Sequence, residues 1–184
     1  MAKTKNSDEY LNNLRHSCAH LLAAAIMELY PRAKRTIGPA IENGFYYDFD
    51  DLKISEADLP KIEFKMHELA KDWKGFKRKE VSPEQARKDY KDNPYKLELI
   101  DEFVEQGSTL TLYRSGAFSD LCRGGHIEEP SKELKHFKLL KIAGAYWRGS
   151  EKNKMLTRIY GTAFPTKEEL DKYLWQQQEA EKRD

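Results

Sequence analysis

Residues 7–50 read SDEYLNNLRHSCAHLLAAAIMELYPRAKRTIGPAIENGFYYDFD, one helical segment running into a hairpin. Ser7 suits a helix cap, Asp8 and Glu9 suit the first turn, and Pro31 stops the run, so the spacing predicts a helix from Ser7 to Tyr30. Leu14, Cys18, Leu21, Leu22, Ala25 and Leu29 fall in one arc of about 100°. His16 and His20 project nearly the opposite way, beside Ala23, Ala24 and Met27 rather than beside charges. An apolar cleft wall carrying two imidazoles explains that better than a solvent face does. Arg35–Ile41 and Phe45–Asp50 then flank Asn43-Gly44, a two-residue turn signal because both positions tolerate positive φ.

Working outward, Ser55 to Trp73 returns to helical spacing through Ile62, Met66, Leu69 and Trp73, with Pro60 admissible near its start. Phe76 to Val81 alternates like a strand, Ser82-Pro83-Glu84 opens a short helix, and Pro94 to Val104 reads as another. Thr109–Arg114, Ala117–Cys122, Phe137–Trp147 and Met155–Phe164 are β-branched or aromatic runs, and Thr166 onward is a charged helix. Helices and strands mix without strict βα alternation. The expected fold class is therefore α+β, a two-layer mixed or antiparallel sheet packed with helices.

A chain of 184 residues suits one sizeable core. Its 32 Lys and Arg against 31 Asp and Glu leave a balance of +1, so any basic surface must be local. Three runs are candidates for RNA contact: Pro31–Arg35, Lys74–Lys79 and Lys132–Lys141. The longest apolar run, Leu21 to Met27, falls far short of the ~20 residues that span a bilayer, and the first nine residues hold no apolar signal core. The expectation is a soluble, cytoplasmic chain without a membrane partner. Two cysteines, Cys18 and Cys122, are too few for a disulfide scaffold.

His16-Ser-Cys-Ala-His20 sets two imidazoles one helical turn apart, able to reach one point above the helix. It lacks the glutamate that follows the first histidine in metalloproteases. Cys122-Arg-Gly-Gly-His126, preceded by Asp120, has glycines that let backbone N–H groups converge on an anion or a developing oxyanion. Together His16, His20, Cys122 and His126 have the types and number for tetrahedral zinc. The competing reading makes Cys122 a buried strand residue and His126 a loop histidine. His67 and His136 sit near lysines without a partner at ligand spacing.

The paired H-x-x-x-H and C-x-x-x-H motifs resemble those of the editing domain shared by threonyl- and alanyl-tRNA synthetases and freestanding editing proteins. TIGPAIENGFYYDFD at 36–50 and AGAYWRGSEKNKMLTRIYGTAF at 143–164 resemble the bacterial threonyl type, and the similarity runs from about Leu14 to the C-terminus. The resemblance implies an aminoacyl-tRNA hydrolase domain that cleaves the seryl ester on threonine's tRNA, with the serine-bearing 3′ end as partner. It carries over catalytic roles to His16, His20, Lys96, Asp120, Cys122 and His126, and substrate-binding roles to Tyr47 and to Gly38, near the adenosine pocket. Among these, His16 or Lys96 is expected to handle the water, while Asp120 and His126 fix the substrate amine or hydroxyl. The family commonly has proline where this chain has Gly125.

The implied domain spans 1–164, and 165–184 is a linker helix toward a catalytic core whose ATP-binding motifs are not visible. The chain then reads as a fragment that does not aminoacylate, its full-length partners being catalytic and anticodon-binding domains. The resemblance implies editing without metal, with zinc at His16, His20, Cys122 and His126 as the alternative. Two other readings stay open, a freestanding, zinc-dependent deacylase acting in trans and a catalytically inactive tRNA-binding module. The physics suits editing. A pocket built for threonine rejects serine only through lost contacts of roughly 1–3 kcal/mol, whereas a second, smaller pocket excludes threonine's methyl and cleaves serine.

Overall fold

A computed structural model describes residues 7–183; the first six residues, which include most of the segment read for a signal core, and Asp184 lie outside them. Helix α1 (Asp8–Leu29) is capped by Ser7, whose Oγ accepts from Tyr10 N. It is buried on nearly every side: Leu14, Leu21, Leu22 and Ile26 are at most 1% exposed. Each contributes roughly 1.5–3 kcal/mol by leaving water. The face opposite the leucines is buried as well, as the histidine placement requires.

Short strands β1 (Lys34–Arg35) and β2 (Ala40–Ile41) both pair with β3 (Gly44–Asp50). The hairpin turn lies one residue earlier than Asn43-Gly44 suggests, because Ile41 pairs with Gly44 and leaves Glu42-Asn43 as the loop. Asn43 takes the left-handed φ of 60°. Gly44 instead enters the strand, where a Cβ would stand 2.3 Å from the Gly161 carbonyl. After a 3₁₀ turn at Glu56–Asp58 comes α2 (Leu59–Ala70), which packs Ile62 and Met66 into the main core.

The chain continues through β4 (Lys77–Val81), α3 (Pro83–Asp89), α4 (Pro94–Glu105), β5 (Leu110–Ser115) and β6 (Phe118–Leu121). A short α5 (Pro130–Glu133), which the sequence pattern does not announce, precedes β7 (His136–Tyr146), β8 (Met155–Phe164) and α6 (Lys167–Lys182). The strands form two antiparallel sheets rather than one. The larger runs β1-β3-β8-β7 with β2 against β3, and the smaller runs β4-β5-β6. The class is α+β, as expected. Helix α1 lies on the large sheet, its Arg15 guanidinium donating 3.1 Å to the Ala163 carbonyl of β8. Leu134 and Ile127 of the segment following the small sheet join the same core. That brings the loop after β6 over the histidine face of α1.

Candidate functional site

One turn of α1 brings His16 Nε2 and His20 Nε2 to 3.2 Å from each other. The loop after β6 delivers Cys122 Sγ to 3.1 Å from His16 Nε2, and His126 Nε2 lies 3.6 Å from the same sulfur. Ser17 makes the connection between segments: its Oγ donates to the Asn13 carbonyl within α1 and accepts from Ile127 N at 3.1 Å. Cys122 is pinned to β5, its carbonyl accepting from the Thr111 hydroxyl and its N–H donating 3.1 Å to the Thr111 carbonyl. Gly124 and Gly125 have φ of 108° and 91°, the latter a conformation closed to proline. The bend turns the Gly124 N–H onto Cys122 Sγ at 3.3 Å, so that donor faces the sulfur.

Beneath this group sits Asp120, 1% exposed. Oδ2 accepts from Tyr47 OH at 2.7 Å and lies 3.4 Å from His20 Nδ1. Oδ1 accepts from Lys96 Nζ at 2.9 Å and from Leu121 N at 3.0 Å, with an Arg35 guanidinium nitrogen 3.6 Å away. Asn93 positions two of these groups. Its Oδ1 caps α4 by accepting from Tyr95 N and Lys96 N, and its Nδ2 donates 2.8 Å to the Arg35 carbonyl. Gly38 fits because a Cβ there would stand 2.1 Å from Tyr47 Cδ2.

The electrostatics follow from one buried carboxylate facing several cations. Burial opposes ionisation of Asp120, but Lys96, Arg35 and the His20 hydrogen bond outweigh it and hold the carboxyl well below its ordinary range. Burial lowers Lys96, and Arg35 adds to that while Asp120 works against it; the net direction is down. Burial would likewise lower His20, but Asp120 and Cys122 raise it to about 9. Burial would raise Cys122, yet hydrogen bonds from His126, His16 and His20 bring it down to about 3. His126 is lowered, chiefly by burial. Both shifts run in the direction that favours a thiolate facing a protonated His20.

These groups open onto a cavity of about 220 Å³ lined by His16, His20, Tyr47, Lys96, Asp120 and Cys122 together with Gly38 and apolar side chains such as Ile37, Leu99 and Phe103. That is below the ~300–1,000 Å³ of pockets for drug-sized ligands and suits a small moiety. His126 stands in the next layer, stacked on Phe76 with centroids 4.2 Å apart and against Tyr113 at 4.6 Å. A groove of about 830 Å³ bordered by Arg32, Lys34 and Tyr90 is larger, but neither imidazole nor thiol lines it. The His16 and His20 imidazoles and the Cys122 thiol line the smaller cavity.

The structure thus gathers His16, His20, Tyr47, Lys96, Asp120, Cys122 and His126 in one place, with Gly38 behind Tyr47. Sequence reasoning missed Arg35 as a member of this cluster, reading it within Pro31–Arg35 as a basic run for RNA contact. In β1 alternation sends Lys34 out to Asp51 and Arg35 inward, where it also donates 2.7 Å to the Ser119 carbonyl. Asn93 was legible in principle, since Asn-Pro before an apolar run signals a cap. His67 and His136 lie apart from the site, His67 stacking on Phe137 at 4.1 Å.

His16, His20, Cys122 and His126 could hold a metal ion: their ligand atoms lie within 4.8 Å of one another. The shorter separations, 3.1 to 3.6 Å, are close to the ~3.3–3.6 Å edges of a tetrahedron drawn with zinc–nitrogen and zinc–sulfur bonds.

Residues 110–160 match the family model described as threonyl and alanyl tRNA synthetase second additional domain. Over 182 residues the chain is 54% identical to a threonine–tRNA ligase of Rubrobacter xylanophilus, covering 98% of this chain and 28% of the relative. A threonine–tRNA ligase of Thermotoga maritima is 56% identical over 175 residues, with 92% of this chain and 27% of the relative covered. For one of Staphylococcus carnosus the identity is 53% over 182 residues, with 98% and 28% covered. The chain spans a little over a quarter of the length of these relatives.

Proposed function

The chain carries the second additional domain found in threonyl and alanyl tRNA synthetases, and from that premise we propose that it hydrolyses the ester joining serine to threonine's tRNA by means of a positioned water. One observation carries the reading: four separate segments bring His16 and His20, Tyr47, Lys96, and Cys122 to a single cavity of about 220 Å³. An aminoacyl ester is already activated, so its hydrolysis needs an oriented water and oxyanion stabilisation more than a strong nucleophile. Lys96, lowered by burial, is suited to take a proton from water, and His16 to orient that water. Protonated His20 offers a cation to the developing oxyanion.

Asp120 acts best as a positioning residue, since Lys96, Tyr47 and His20 already occupy its oxygens. The residues around His16 and His20 and the loop from Asp120 to His126 form the wall that tells serine from threonine, while Gly38 and Tyr47 bind substrate. Residues 1–164 are the editing domain in this reading, and 165–184 a helix leading toward aminoacylation domains like those of a full ligase. In this reading the setting is cytoplasmic, as the proposed transfer-RNA substrate requires. Incubation with seryl-tRNA should release serine at a rate that His16→Ala/Lys96→Ala abolishes. Binding of the RNA without serine release in the unsubstituted chain would instead favour an inactive binding module.

A second reading is favoured by the spacing of the four donor atoms. In it His16, His20, Cys122 and His126 hold zinc, with Asp120 on His20 Nδ1 as the orienting carboxylate. Bound there, the ion would supply Lewis-acid polarisation or structural closure. About one metal per chain in protein purified without chelator supports this reading; less than a tenth supports the metal-free one.

A further inference from the structure

On the exposed edge strand β4, Lys77 stands directly opposite Arg114 of β5. Two cations in register destabilise a sheet slightly, where opposite charges would stabilise it. Among the described residues no carboxylate relieves the pair. Glu80 is engaged with Arg78 on the other face of the strand, at 3.1 Å, while Arg114 Nε donates to the Gly116 carbonyl. Among the described residues neither Lys77 nor Arg114 has an acid partner.

Lys74 joins them around a cavity of about 540 Å³ whose one acidic lining residue is Asp72. The Lys74 ammonium rests on the Lys71 carbonyl at 3.2 Å and likewise has no acid partner among the described residues. Lys79, on the same strand face as Lys77 and exposed, extends the row by about 7 Å, a step that suits successive phosphates of one nucleic-acid strand. On a chain whose formal charge is only +1, this concentration is local. The cavity also adjoins the site: Phe76, part of its lining, stacks on His126 with centroids 4.2 Å apart and planes 17° from parallel.

We propose that Lys74, Lys77 and Arg114 form a docking cleft for the phosphodiester backbone of the RNA whose ester-bearing end enters the site. The proposal rests on the function proposed above for the partner's identity. The unfavourable register is then explained, because phosphate supplies the negative charge that the sheet withholds. The cleft holds the RNA while the separate 220 Å³ cavity does the chemistry.

The test measures binding of uncharged transfer RNA to the full chain between 50 and 200 mM salt, so that it does not depend on hydrolysis. In Lys77→Ala/Arg114→Ala the slope of log K against log salt should shrink by about two, roughly one per lost contact. Lys172→Ala/Lys182→Ala on α6 should keep the unsubstituted slope. Lys77→Glu separates binding from folding: facing Arg114 it should leave the melting midpoint unchanged or higher while RNA affinity falls at least tenfold. Unaltered slope and affinity in Lys77→Ala/Arg114→Ala would overturn the proposal. So would a loss of affinity in Lys77→Glu that tracks a lowered melting midpoint, or equal losses of binding to RNA and to polyglutamate. Hydrolysis of an aminoacylated oligonucleotide too short to reach the cleft should be the same in all variants, so failure of the cleft and failure of the hydrolytic reading give different results.

Discussion

Lys96 Nζ lies 2.9 Å from Asp120 Oδ1, and both side chains are 2% exposed. An isolated pair this deep roughly breaks even, because desolvation offsets the Coulomb attraction. Here the carboxylate also holds Tyr47 and His20 and lies near Arg35, so its removal leaves buried cations facing one another.

Asp120→Ala should therefore cost about 3–5 kcal/mol of stability, the range for breaking a buried pair from one side. Asp120→Asn/Lys96→Met should recover a large part of that loss. Urea unfolding of the two variants beside the unsubstituted chain measures the difference, and equal losses would show that Lys96 does not depend on Asp120.

Lys96→Met alone should retain the fold, since it replaces the buried side chain with an apolar one of similar length, and should lower single-turnover seryl ester hydrolysis by about 10²–10⁴ if the amine handles the water's proton. Hydrolysis within a factor of two of the unsubstituted rate would remove Lys96 from the mechanism.

Gly38→Ala tests the substrate-binding role given to Gly38 and Tyr47. Its added Cβ would stand 2.1 Å from Tyr47 Cδ2, so the ring must turn away and release its 2.7 Å bond to Asp120. The expected outcome is at least a tenfold loss of hydrolysis with RNA binding retained, read from rates and filter binding in parallel.

His67 makes a pH prediction away from the site. Burial holds its folded-state value below the ordinary 6.5, with His136 and Lys71 acting in the same direction and Glu63 opposing. Below pH 6.5 the unfolded chain binds the proton more readily, so this contribution to stability is present above that pH and is lost as pH falls through it. The loss of urea midpoint between pH 7.5 and 5.5 should be smaller in His67→Phe, which keeps the stacking on Phe137. An unchanged loss would assign the acid sensitivity elsewhere.

Much of this was legible in the chain because it depends on local periodicity. The caps at Ser7 and Ser82, the burial of Leu14 and Leu21, and the two histidines facing away from the leucine arc all follow from 3.6-residue spacing. The hairpin at 40–50 was legible as an element but not in register: the close approach of Gly44 to the Gly161 carbonyl is a contact across 117 positions. Likewise, no pattern in the sequence announces that Ser17 ties Ile127 to α1. Arg35 was missed for the opposite reason, since its local setting, Arg-Ala-Lys-Arg, describes a wet surface while strand alternation turns one of those cations inward. The second sheet was missed as a separate body because alternation identifies strands and not their partners.

The most direct test of the central claim compares initial rates of serine and threonine release from the same tRNA, esterified with one or the other, by the purified full chain. The account predicts faster release of serine by roughly 10- to 200-fold, the discrimination one methyl group affords in a closed pocket, with both rates lost in His16→Ala/Lys96→Ala. Equal rates for the two esters, or no release of serine above the spontaneous background, would contradict it.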